Sequence, residues 1–132
     1  MKKLFPLLFL LLSLTISAQT TAEKIHYKTI TQTECVKKKG YRLVLKQVVS
    51  DSRCPEGVTC VWAGEVSFVV SVYKDKKFVE DVTFSSANRE QNLELFSKYL
   101  GKKVTSVGVL PYPKQGVSVD PKSYVLKIGY TR

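Results

Sequence analysis

Period-two alternation of apolar residues constrains this chain most. Val66, Phe68, Val70 and Val72 share one face and Ser67, Val69, Ser71 and Tyr73 the other, within a strand signal running from Val61 to Tyr73. An amphipathic helix does not produce this pattern, because its faces repeat every 3.6 residues. The alternation recurs at 41–49, where Tyr41, Leu43 and Leu45 oppose Arg42 and Lys46, and at 124–130, where Tyr124, Leu126, Ile128 and Tyr130 share a face. Shorter strand signals cover 25–30, 78–84 and 104–110. In 78–84, Phe78, Val82 and Phe84 are expected in register, in a hairpin that turns at Asp75-Lys76-Lys77. Helical spacing occurs once. Leu93, Phe96 and Leu100 within Ser86–Gly101 predict a short helix over about 89–100, capped by Asn88 and ended by Gly101. The expected fold is all-β: a small antiparallel β-sandwich or open barrel of about six to seven strands with at most one short helix.

The first 18 residues have a different logic. Lys2 and Lys3 form a basic start, Leu4–Leu14 an apolar run, and Ile16-Ser17-Ala18 a small-residue cleavage site before Gln19. This is the pattern of a cleaved signal peptide. The run is too short to cross about 30 Å of hydrocarbon, and later apolar segments are interrupted by charge. With no cysteine at the cleavage point, a lipid anchor is not expected. The organisation read from the sequence is a leader at 1–18, a tail at 19–24 and one β domain at 25–132, without a transmembrane segment in the mature chain. The expected location is periplasmic or secreted. The chain carries 21 basic and 11 acidic residues, so loss of Lys2 and Lys3 leaves a net +8.

That compartment permits disulfides. Cys54 and Cys60 flank Pro55-Glu56-Gly57-Val58-Thr59, a segment able to turn back on itself, and their pairing leaves Cys35 over. With a single histidine, His26, and no C-x-x-C, a zinc site is disfavoured. No phosphate-binding glycine loop or calcium loop is present, and no cofactor is implied.

Asp51 to Glu65 concentrates two cysteines and the only tryptophan in fifteen residues. Asp51 is placed to accept backbone N–H bonds in a turn. Arg53 is close enough to pair with Asp51 or Glu65. Trp62 is expected to begin a strand beside the bridge and to be buried near Leu43, Phe68 and Leu126. Gly64 leaves room for a bulge or a close backbone approach. One reading is a stapled corner whose groups satisfy each other. The other is a rigid loop presenting Asp51, Arg53, Glu56 and Trp62 to a partner.

The run Asp51-Ser52-Arg53-Cys54-Pro55, then Cys60, Trp62 and Gly64, resembles the motif D-S-R-C-P-x-x-x-x-C-x-W-x-G. That motif marks an uncharacterised family of small secreted β domains and lipoproteins of bacteria, Bacteroidetes especially. Leu110-Pro111-Tyr112-Pro113 and the closing strand with Tyr124 extend the resemblance over most of 41–130. It implies a compact secreted β domain and supplies no catalytic residue.

Catalytic arrangements find little support. His26 lies near the N-terminal tail, Cys35 with His26 is the single candidate nucleophile pair, and Glu80 and Asp81 should point to opposite faces of a strand. The lysines invite more attention. Lys37-Lys38-Lys39, Lys74 with Lys76 and Lys77, and Lys102-Lys103 are three clusters, each at an expected turn. Lysines at turns are commonly solvated and protect sheet edges. Gathered at one end, they would form a basic rim for anionic glycans, lipid headgroups or acidic proteins. Nucleic acid is disfavoured, since no basic motif interleaved with aromatics appears.

The function expected is a secreted, non-enzymatic β-sandwich that binds a protein or an anionic envelope component. The alternatives are a protease-inhibitor-like module presenting the bridged 53–60 loop around Arg53, and a small thiol enzyme acting through Cys35.

Overall fold

The computed structural model describes residues 22–33 and 35–132. The expected leader and the first three residues of the tail lie outside them. Two antiparallel sheets face each other. The first contains β1 (His26–Ile30), β7 (Val125–Tyr130) and β6 (Val104–Leu110), in that order. The second contains β2 (Val36–Lys38), β3 (Tyr41–Asp51), β4 (Val66–Lys74) and β5 (Lys77–Ser85) in chain order. One helix, α1 (Arg89–Leu100), carries the chain from β5 to β6. The architecture is the small all-β sandwich that the alternation called for.

The alternating faces do what their spacing requires. Val66, Phe68, Val70 and Val72 from β4 meet Leu43 and Leu45 from β3 and Leu126 and Ile128 from β7, all buried. Aromatic rings connect the second sheet to the helix: Phe68 stacks on Phe84 at 5.4 Å, and Phe84 on Phe96 at 4.7 Å. Offset ring pairs of this kind add to the apolar burial that drives the packing. Among the described residues no helix is long and apolar enough to cross a membrane.

Five local expectations need correction. The strand starts at Val66, not Val61, because 61–65 belongs to the loop. The β3–β4 ladder ends at Asp51 opposite Val66, and only Ser52 N–H to the Glu65 carbonyl and Cys54 N–H to the Ala63 carbonyl extend it. Trp62 consequently stays out of the core and is 69% exposed. Phe78 is also exposed. Val72 pairs with Glu80 and Tyr73 with Phe78, so Val79 is an extra residue and the parity of the strand reverses there. Phe78 thus meets Tyr73 edge-on at 5.7 Å on the outer face.

At the helix start, Asn88 occupies the cap position but makes no side-chain cap bond. The buried Asn92 side chain instead donates to the Ser85 carbonyl at 2.7 Å, tying the first turn to β5. Gly101 ends the helix in the left-handed conformation, as expected. Finally, the lysine segment after Cys35 is not all turn. Val36–Lys38 pairs with β3, and only Lys39 and Gly40 make the bend.

Candidate functional site

The strand order determines where the lysines go. The β2–β3 hairpin turns beside the start of β3, and the β4–β5 hairpin turns beside the end of β4. Because β3 and β4 are antiparallel, with Tyr41 opposite Lys74, both turns fall at the same end of the sheet. Each is a two-residue bend with both central residues at positive φ: Lys39 and Gly40 in one, Asp75 and Lys76 in the other. Type I′ hairpin turns require this conformation. The two bends touch, since Asp75 N–H donates to the Gly40 carbonyl at 3.0 Å. The third cluster joins them through the helix end. Lys39 lies across Gly101, where an added Cβ would come within 2.8 Å of its Cε. Its charge therefore sits beside the helix C-terminus, which favours cations.

Between the two sheets this end opens into a cleft of about 190 Å³, lined by Lys28, Lys37, Lys38 and Lys102 with Val36, Leu100 and Tyr130. Lys28 and Lys38 stand there for a reason of parity. Lys28 shares its strand face with the buried Ile30, and Lys38 shares its face with the buried Val36. Both are directed to the rim of the core and not to the flat outside of a sheet. Lys102 is held over the Tyr130 ring, its Nζ 4.3 Å from the centroid. Two ion pairs occur among the described residues, Lys46–Asp81 and Arg53–Asp51, and neither involves a lysine of this end. Lys37, Lys38, Lys39, Lys76, Lys77 and Lys103 are exposed, and Lys102 is half-buried.

The opposite end carries the cysteine loop, and its charges are internally matched. Cys54 and Cys60 are bridged, with Cα atoms 5.9 Å apart, and Cys35 is free and half-buried. Arg53 Nε and Nη2 donate to the two Asp51 oxygens at 2.8 and 2.7 Å. Its Nη1 and Nη2 also donate to the carbonyls of Val109 and Pro111, at 2.7 and 3.0 Å. Its plane lies 4.7 Å from the Tyr112 ring centroid. Tyr124 Oη donates to Asp51 at 3.1 Å. Stretches distant in sequence, around Pro111-Tyr112 and at Tyr124, therefore converge on the Arg53–Asp51 pair.

Burial pushes the Asp51 carboxyl up, but the Arg53 side-chain and backbone bonds and the Tyr124 bond outweigh it and hold it below the usual carboxylate range. Burial and the same bond to Asp51 push the Tyr124 hydroxyl up.

Arg53 and Asp51, which one of the two readings of this loop placed on a presented surface, are engaged inside as the stapled-corner reading has it: each side chain is 9% exposed. Arg53 chooses Asp51, while Glu65 accepts from Ser85 Oγ. Gly64 makes the close approach foreseen for it, at φ +69°, where an added Cβ would fall 1.8 Å from the Ser52 carbonyl oxygen. What this loop presents is Glu56, Val61 and Trp62. The Glu56 N–H is fixed by the Pro113 carbonyl at 2.9 Å.

The remaining candidates are dispersed. His26 stacks on Tyr130 at 5.8 Å. Glu80 and Asp81 separate to opposite faces, the first accepting from Tyr99 and the second from Ser71 and Lys46. Burial and the bond to Glu80 push the Tyr99 hydroxyl up to about 12. No group of three or more potential metal ligands forms among the described residues.

Sequence reasoning missed Lys28, Arg42 and Tyr130 as members of the basic end. Two signals were available. Lys28 has the parity of Ile30, and Arg42 lies one hairpin turn from Lys37, its cross-strand partner. No family model, no curated protein and no solved structure matches the chain.

Proposed function

We propose that this chain is a secreted, non-enzymatic β-sandwich whose lysine end binds an anionic component of the cell envelope. One observation carries the reading: three lysine clusters distant in sequence meet at one end, two of them lining a cleft, without a carboxylate ion-pair partner among the described residues. Such a surface attracts anions over distances set by ionic strength, about 8 Å at physiological salt. The disulfide is compatible with an oxidising compartment. The signal peptide and the kinship with the Bacteroidetes-type secreted domains belong to the same proposal.

Retention of the mature protein on an anionic glycan matrix and on anionic vesicles, measured against salt, tests it. Binding that weakens as salt rises, and weakens further when Lys37, Lys38 and Lys102 are replaced together by Gln, supports the proposal. Salt-independent binding, or none, contradicts it.

A second reading has its own support. Val61 and Trp62 project from a braced loop, and tryptophan is enriched at protein-binding hot spots. On that reading the contact is made by the indole. An inhibitor centred on Arg53 has less support, since four internal hydrogen bonds occupy its guanidinium.

A further inference from the structure

The basic end holds a second cleft. It has a volume of about 500 Å³ and is lined by Lys37, Gly40, Tyr41, Arg42, Asp75 and Lys76. Lys37 belongs to both clefts, so they adjoin across β2. Arg42 Nε is buried there without a hydrogen-bond partner among the described residues. A buried donor without an acceptor is destabilising, so its persistence calls for an explanation, and an incoming anion supplies one.

The cations in these clefts are also positioned in advance. Arg42 lies 4.4 Å from the Tyr73 ring centroid and Lys102 4.3 Å from that of Tyr130. Resting on aromatic faces, these long side chains have less freedom to lose when a ligand arrives.

Two populations of cations therefore exist. Lys76 and Lys77 sit on a projecting turn, where a flat anionic surface reaches them. Arg42 is half-buried against the Tyr73 ring, where a flat surface does not reach it, and Lys28, itself exposed, lines the cleft between the sheets. Resting on the reading of this end as an anion site, we infer that its ligand is a linear anionic polysaccharide running from the first cleft across Lys37 into the second. Its charged groups enter the recesses singly, and its length joins the two. Asp75, the carboxylate in the second cleft, opposes it.

Heparin oligosaccharides of defined length and vesicles containing phosphatidylglycerol are suitable probes for calorimetry with the mature protein. A chain long enough to reach both clefts should bind at least about 10-fold more tightly than a tetrasaccharide, because linked contacts add avidity. Lys28→Gln and Arg42→Gln should each weaken the long chain by about three- to fivefold, the size of one partly exposed charge contact. Lys76→Gln with Lys77→Gln should weaken it less. Asp75→Asn should tighten it, which provides a gain-of-binding test should Arg42→Gln prove unstable. Equal affinity for short and long chains overturns the inference, as does vesicle binding that depends on Lys76 and Lys77 but not on Lys28. In either case the anion-binding reading survives. Absence of salt-sensitive binding to both probes overturns the two together.

Discussion

The two ends of the sandwich use charge in opposite ways. At the cysteine end Arg53 and Asp51 are nearly enclosed, their charges matched to each other and to backbone carbonyls, and the exposed groups there include Val61 and Trp62. At the lysine end the charges face water and each other, and the apolar groups Val36 and Leu100 lie beneath them. A matched charge holds a loop in place. Like charges gathered without partners are unfavourable to the free protein, which makes their convergence informative about a ligand. The conspicuous motif is structural, and on the proposed reading recognition falls to the plainer lysines.

The largest expected effect lies at the matched end. Arg53→Ala leaves Asp51 enclosed without its partner, and removal of one member of such a pair destabilises by about 3–5 kcal/mol. Denaturant unfolding measures this. If Arg53 instead acts mainly as a contact residue, stability will change little and binding will fall.

The same pair predicts an acid limb. Asp51 titrates below its ordinary 3.8 in the fold. Its contribution is therefore present above that value and is lost as pH falls through the lowered one. Asp51→Asn should flatten the stability profile below about pH 4.

Replacing Cys54 and Cys60 together by Ser should cost about 2–3 kcal/mol, the chain-entropy value for so short a loop. A smaller loss would indicate that the Arg53 network alone orders the segment.

Trp62→Ala should cost under about 1 kcal/mol, since an exposed side chain gives up little packing. Its emission should be red-shifted and readily quenched. A loss of about 3–5 kcal/mol, typical of a buried aromatic, would place the indole in the core and remove the distinction drawn for this loop.

Much of the fold was legible because burial on a strand follows parity. Leu43, Leu45, Phe68, Val70, Leu126 and Ile128 occupy the core that their alternation assigned to them. Legibility failed where one residue changes the count or where a partner comes from far along the chain. Val79 is such an extra residue, and it turns Phe78 outward. Trp62 looked like a core residue because it is large and follows a bridge. The loop is instead held by Arg53, which reaches 56 and 58 residues along the chain to the carbonyls of Val109 and Pro111. No local signal reports such a contact. The lysine clusters were visible singly. Their convergence depends on β3 lying between its own two sequence neighbours and on Lys39 crossing the end of α1, a tertiary arrangement.

Replacing Lys37, Lys38 and Lys102 by Gln should change stability by no more than about 0.5 kcal/mol, as surface substitutions generally do. The most direct test of the division between the ends is amide chemical-shift mapping during titration with a long heparin oligosaccharide. The shifts should cluster at 28, 36–42, 74–77 and 101–103 and leave 52–65 unmoved. Shifts concentrated around Trp62, with the lysine turns silent, would contradict the account and move recognition to the cysteine loop.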